Sequence, residues 1–256
     1  MWLDGFGLLL LAFQLWQPVD WRALLPLFEA RATNEAGVRD VALFLMREQQ
    51  WEAAEPWLRK LGEAEMLADC LAAMGQKEAA LAEYAKSRTT RALARRTELT
   101  GDPRYLEQAL QRERLPQYLN DLALLRKGTV EAAALLREAL SAQEKKLGAS
   151  HPEVGITLNN LGSELLLQGK LPEAEAVQRR SFRILEATVG PRHVRTGLSA
   201  SNLGDILQAA GKPAGVYYEQ AREIFNVQLG PRHPWTEEAA AAALSERKRR
   251  SSGSQK

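Results

Sequence analysis

Three histidines, His151, His193 and His233, and a single cysteine, Cys70, are the side chains of this 256-residue chain best suited to metal or nucleophilic chemistry. Imidazole is a frequent metal ligand, and the histidines recur at intervals of 42 and 40 residues. Each one, however, sits in a copy of the same short phrase: Leu147-Gly148-Ala149-Ser150-His151-Pro152, Gly190-Pro191-Arg192-His193, and Leu229-Gly230-Pro231-Arg232-His233-Pro234. Equivalent residues of stacked units lie apart by the spacing of packed helices, on the order of 10 Å or more. Zinc needs its nitrogens about 2 Å from the ion. The spacing therefore predicts histidines that cap or pack helix starts, and no metal site.

Cys70 stands in an Ala/Leu-rich stretch, Leu67-Ala68-Asp69-Cys70-Leu71-Ala72-Ala73, with no neighbouring His or basic residue. It reads as a small core residue, since a nucleophilic thiol needs a neighbour that lowers its pKa. A lone cysteine forms no internal disulfide and is compatible with either the cytosol or an oxidising compartment. Gly-rich phosphate loops, His-Glu-x-x-His, Cys pairs and Gly-x-Ser-x-Gly are all missing from the sequence. No catalytic residue and no cofactor is assigned, and the chain reads as a non-enzyme.

The recurring phrase instead defines an architecture, because a fixed period of about 40 residues signals stacked helical repeats. Between the phrases, Leu158-Asn159-Asn160-Leu161-Gly162, Gln168-Gly169-Lys170 and Glu173-Ala174-Glu175-Ala176 align with Ala200-Ser201-Asn202-Leu203-Gly204, Ala210-Gly211-Lys212 and Pro213-Ala214. An upstream copy reads Asn120-Asp121-Leu122-Ala123, Lys127-Gly128 and Glu131-Ala132-Ala133. Leu158, Leu161 and Leu165 share one helical face, with Gly162 on the same side making room for a neighbour. Gly169 stops the first helix of the unit, and Pro172 sits in the first turn of the second, where no donor is lost. Pro152, Pro234 and Asp102-Pro103 mark other helix starts.

These residues resemble the tetratricopeptide repeat, and the long period with His-Pro before the first helix and Leu-Asn-Asn-Leu within it is similar to the kinesin-light-chain and nephrocystin subtype. The resemblance covers residues 118 to 236 well and 36 to 87 fairly. Gln178 and Ser181 depart from it, standing where the family prefers an aromatic and an alanine, and the last repeat lacks two residues around Ala214-Gly215-Val216. The implied fold is all-α: a right-handed superhelical solenoid of antiparallel helix pairs. Composition agrees, with 45% hydrophobic residues to fill a continuous ribbon of core and many strong helix formers.

Upstream, Asp40 to Arg47 with Trp51 to Leu58, and Met66 to Met74 with Lys77 to Tyr84, read as shorter helical hairpins whose Glu-Ala-Ala elements are only 26 residues apart. Arg88 to Leu110 reads as another helix pair broken at Gly101-Asp102-Pro103, and Arg114 to Pro116 as a bend. The chain thus divides into residues 1–18, an apolar N-terminal segment; 19–117, irregular helical hairpins; 118–246, regular repeats ending in the Ala-rich helix Glu237 to Leu244, a cap or a self-association face; and 247–256, a basic disordered tail.

Phe6 to Phe13 is an apolar run too short for a bilayer-spanning helix, which needs about 20 residues. It suits the core of a signal peptide or uncleaved anchor, although Met1 to Gly5 carries Asp4 and no basic residue; an apolar first helix packed on the solenoid end is the other reading. Location follows that choice, extracytoplasmic with a signal and cytoplasmic without. The tail carries five basic residues, which take the formal net charge of the chain from +2 to −3 when set aside. A slightly acidic body with one basic end weakens a nucleic-acid reading, which rests on many Lys and Arg lining one surface, and no nucleic acid is expected as a partner.

The resemblance implies a concave groove, lined by the first helix of each repeat, that accepts an extended peptide or a partner helix. It assigns Asn120, Asp121, Asn159, Asn160, Ser163, Ser201, Asn202 and Asp205 as the candidate partner-binding residues. A side-chain amide offers both a donor and an acceptor, as a peptide unit does. Basic side chains in a carboxylate clamp are not visible at these positions. The leading expectation is a non-catalytic protein-binding scaffold. The alternatives are a regulatory or sensor region of a larger enzyme system and a secreted or envelope-tethered assembly factor, with membrane association through the N-terminus.

Overall fold

The computed structural model describes residues 21–253, all of them in helices, turns and short connections. The apolar segment 1–18 lies outside the described residues. No helix among those described is long and apolar enough to cross a membrane. The chain divides into two compact units, Met1–Thr100 and Gly101–Lys256. The division falls at the Gly101-Asp102-Pro103 break and not near Arg114 to Pro116, where Arg114 is tied instead to Glu138 across its own unit.

The first unit holds α1 (Trp21–Glu29), α2 (Glu35–Arg47), α3 (Trp51–Leu61), α4 (Ala64–Ala73), α5 (Lys77–Lys86) and α6 (Thr90–Thr100). Asn34 begins α2 by accepting the Gly37 N–H at 2.9 Å, which satisfies one of the unpaired donors of a helix start. Helices α2 with α3 and α4 with α5 form hairpins around one apolar cluster that includes Val41, Leu45, Leu58, Leu71 and Tyr84. Each buried leucine contributes about 1.5–3 kcal/mol. Cys70 belongs to this cluster and its thiol donates to the Trp51 carbonyl at 3.2 Å. Burial, with Glu55 and Glu52 nearby, pushes the thiol up to about 11.

The second unit holds α7 (Pro103–Arg112), α8 (Pro116–Leu125), α9 (Val130–Leu147), α10 (Pro152–Leu167), α11 (Leu171–Thr188), α12 (Val194–Ala209), α13 (Gly215–Leu229) and α14 (Pro234–Gly253). Helices α8/α9, α10/α11 and α12/α13 are the paired helices of successive repeats, and α14 packs on α13 as the next first helix. Gly169 and Gly211 adopt φ +70° at equivalent turns, a conformation glycine takes without strain. Glycines also set the closeness of the pairs: a Cβ on Gly204 would lie 2.6 Å from the Tyr218 ring, and one on Gly197 2.7 Å from Phe225.

The stretch expected as a disordered tail is helical as far as Gly253. Its reason is a buried carboxylate. Glu246 is 1% exposed, pairs with Arg249 at 2.9 Å and accepts the Ala214 N–H of the preceding turn at 3.5 Å. Arg249 also donates to the Lys212 carbonyl, and Arg247 pairs with Glu219 at 2.9 Å. Glu164, two repeats earlier, does the same for the turn at Gly128, whose N–H it accepts at 2.9 Å.

Candidate functional site

The three histidines are helix caps. Nδ1 of His151, His193 and His233 accepts the backbone N–H of Glu153, Arg195 and Trp235 at 3.2, 3.1 and 3.2 Å. In the two Gly-Pro-Arg-His copies a threonine closes the phrase: Thr196 donates to the Gly190 carbonyl at 2.7 Å and Thr236 to the Gly230 carbonyl at 2.9 Å. Among the described residues no group of His, Cys, Asp and Glu is placed to hold a metal ion.

The asparagines of the first helices form a ladder. Helices α8, α10 and α12 are neighbours, and amides link them in sequence. Asn120 donates to Thr157 of α10 at 3.0 Å and to the Pro116 carbonyl at 3.1 Å, and Asn160 donates to Asn120 Oδ1 at 3.4 Å. One repeat on, Asn202 donates to Asn159 Oδ1 and to Ser163 Oγ, both at 3.0 Å. Ser163 in turn donates to the Asn159 carbonyl at 3.2 Å. These side chains are half-buried. They join one repeat to the next as well as facing outward.

Ser201 is half-buried on α12, and Asp121 is exposed on α8. Asp205 is exposed as a residue, and its carboxylate accepts the Tyr218 hydroxyl at 2.9 Å. Desolvation raises the Asp205 pKa against this hydrogen bond, with Glu238 adding to the rise. Burial and the facing Asp205 push the Tyr218 phenol far above its ordinary value, so it remains a donor.

Behind the ladder lies a seam that sequence reasoning missed. Gln178 and Ser181 of α11 and Ser199 of α12 are fully buried. Gln178 Nε2 donates to Asn159 Oδ1 at 2.8 Å and to the Ser199 carbonyl and hydroxyl at 3.0 Å. Ser181 donates to the Gly155 carbonyl at 2.7 Å and meets Ser199 Oγ at 3.1 Å. Thr157 and Gln143 make a comparable buried contact one repeat upstream, at 2.7 Å. The signal for the seam was present in the sequence, since Gln178 and Ser181 are the positions that depart from the expected aromatic and alanine.

Residues 119–187, from α8 to α11, match the family model of the tetratricopeptide repeat, and the described residues form an all-α repeat fold. No curated protein sequence matches the chain. Among solved structures, BtubC (BKLC) from P. vanneervenii is similar at 20% identity over 78% of this chain and 82% of that one, with a TM-score of 0.43. The Q17M form of a Podosopora anserina putative kinesin light chain with nearly identical TPR-like repeats covers 80% and 94% at 20% identity, TM-score 0.38. The TPR2AB domain of yeast Sti1, in a complex with pHSP90, covers 87% and 90% at 14% identity, TM-score 0.36. Tetratricopeptide repeats generally mediate protein–protein interaction.

Proposed function

We propose that this chain is a non-catalytic scaffold that binds a peptide or helix of a partner protein along the face of α8, α10 and α12 carrying Asn120, Asp121, Asn159, Asn160, Ser163, Ser201, Asn202 and Asp205. The observation that carries this reading is the amide ladder. It lays half-buried hydrogen-bonding groups along three consecutive first helices, where a ligand running across the repeats meets them in order. Asp121 and Asp205 add carboxylates to the same helices, Asp205 with its carboxylate held by the Tyr218 hydroxyl. Affinity capture with crosslinking from the native cells tests the reading, using the full chain beside an Asn160→Ala, Ser201→Arg variant that obstructs the face. Crosslinks from one reproducible partner to α10 and α12, lost in the variant with melting unchanged, support it. A partner that crosslinks elsewhere and ignores the variant overturns it.

A further inference from the structure

The ladder and the buried seam behind it share one atom, Asn159 Oδ1, and the direction of every bond between them is fixed by backbone carbonyls, which only accept. Ser181 gives its single proton to the Gly155 carbonyl at 2.7 Å. Ser199 must then be the donor in the 3.1 Å contact between the two hydroxyls. With that proton committed, both the carbonyl and the hydroxyl oxygen of Ser199 are acceptors, and the Gln178 atom 3.0 Å from each is the amide nitrogen. The same nitrogen reaches Asn159 at 2.8 Å, so the Asn159 atom turned inward is its oxygen. On the outer side, Ser163 gives its proton to the Asn159 carbonyl. Asn202 must therefore present its nitrogen to both Ser163 and Asn159. Among the described residues, Asn159 Nδ2 and Asn202 Oδ1 are left without partners.

We propose that Gln178 is a positioning residue for the binding face: by holding Asn159 Oδ1 inward it fixes the face to offer the Asn159 amide nitrogen as donor beside the Asn202 amide oxygen as acceptor. Tyr218, the corresponding residue one repeat later, makes a different contact, with its hydroxyl reaching Asp205 and Gln208. The repeat that carries Gln178 thus has a donor–acceptor pair set from beneath by a side chain that never touches the ligand. The consequence for recognition rests on the face proposed above, whereas the amide orientation is a property of the free chain and is tested there.

The experiment is side-chain amide NMR on the uniformly 15N-labelled full-length chain without ligand. Both Asn202 amide protons are hydrogen-bonded, so they exchange with water more slowly than those of Asn159, by about tenfold. In Gln178→Met the donor from beneath is gone and the shape is kept, so Asn159 Oδ1 keeps only the Asn202 donor and the Asn159 amide gains mobility, while far-UV circular dichroism holds and melting falls by the buried bonds lost. In Gln178→Glu the buried carboxyl donates when protonated and only accepts when ionised, so raising the pH through its titration turns the Asn159 amide and moves protection to the Asn159 protons, which a packing role alone would not produce. Equal exchange at Asn159 and Asn202 in the unaltered chain overturns the proposal, and so does an Asn159 amide indifferent to both substitutions. Should either variant fail to fold, the exchange contrast in the unaltered chain decides. A partner that leaves these resonances unmoved overturns the binding face and not the orientation.

Discussion

Gln178 and Tyr218 occupy the same position in successive second helices, and each lies over the glycine of the helix before it: a Cβ on Gly162 would fall 2.2 Å from Gln178 Oε1, and one on Gly204 2.6 Å from the Tyr218 ring. Both approaches are closer than a Cβ can sit without something shifting, and they are mechanically different. Gln178 Oε1 is the end of a flexible chain, while Tyr218 presents a rigid buried ring.

Gly204→Ala and Gly162→Ala should therefore differ in cost. Overpacking against the Tyr218 ring is expected to cost about 1–3 kcal/mol, only partly offset by the helix propensity of alanine, about 1 kcal/mol. Gly162→Ala should cost less, because Gln178 Oε1 is buried without a hydrogen-bond partner of its own and the cost is confined to shifting the Nε2 bonds to Asn159 and Ser199. Denaturant titration of the two variants checks the order. Equal losses would show that the ring yields as easily as the amide.

His193→Ala removes an N-cap and should destabilise by about 1 kcal/mol, whereas His193→Asn, which keeps a capping acceptor, should recover most of it. An unchanged denaturant slope with a shifted midpoint would place the effect on stability alone. A loss that asparagine does not recover would assign His193 a role beyond the cap.

The repeat pattern made the helices of the second unit legible, because period, turn glycines and start prolines all agree at Gly169, Pro172 and Gly211. The hairpins of the first unit were legible to within a few residues from their Glu-Ala-Ala elements and the turn glycine Gly75, although α2 and α3 are joined through Gln49 and Pro56 lies inside α3. Capping histidines followed from their equivalence. Two features were hidden. The helical continuation to Gly253 depends on Glu246 reaching back 32 residues to the Ala214 N–H, a tertiary contact that overrides the local charge run. The dual use of Asn159 and Asn202, outward and between repeats, depends on the depth of Gln178, and depth is set by the packing of α11 on α12. A sequence shows that a glutamine replaces an aromatic, but not which way its amide turns.

The first unit should lose stability in acid through Glu65. Partial burial pushes its carboxyl up, and hydrogen bonds from Ser87, Thr89 and Arg91 overcome that and hold it below its ordinary 4.5. The Ser87, Thr89 and Arg91 contacts span 2.5, 2.6 and 3.0 Å. A carboxylate with a depressed folded pKa stabilises above its unfolded value and loses that contribution as pH falls through the folded one. Melting followed from pH 7 downward should drop below about 4.5 in the unaltered chain, and Glu65→Gln should flatten part of that drop. A pH profile identical in the two proteins would show that Glu65 is not linked to folding.

Cys70 should be silent in the folded chain. With the thiol pushed up to about 11 and its side chain fully buried, thiolate is scarce at pH 8 and access is blocked, so an aromatic disulfide reagent should react only as the first unit opens. The reaction rate then reports opening of that unit, and it should accelerate in denaturant in step with the loss of helicity. Substitutions that loosen the core around it, such as Leu58→Ala, should cost about 2–5 kcal/mol and raise the labelling rate in proportion. Immediate labelling of the unaltered chain under native conditions would remove Cys70 from the core and leave the packing of α3 on α4 to be redrawn.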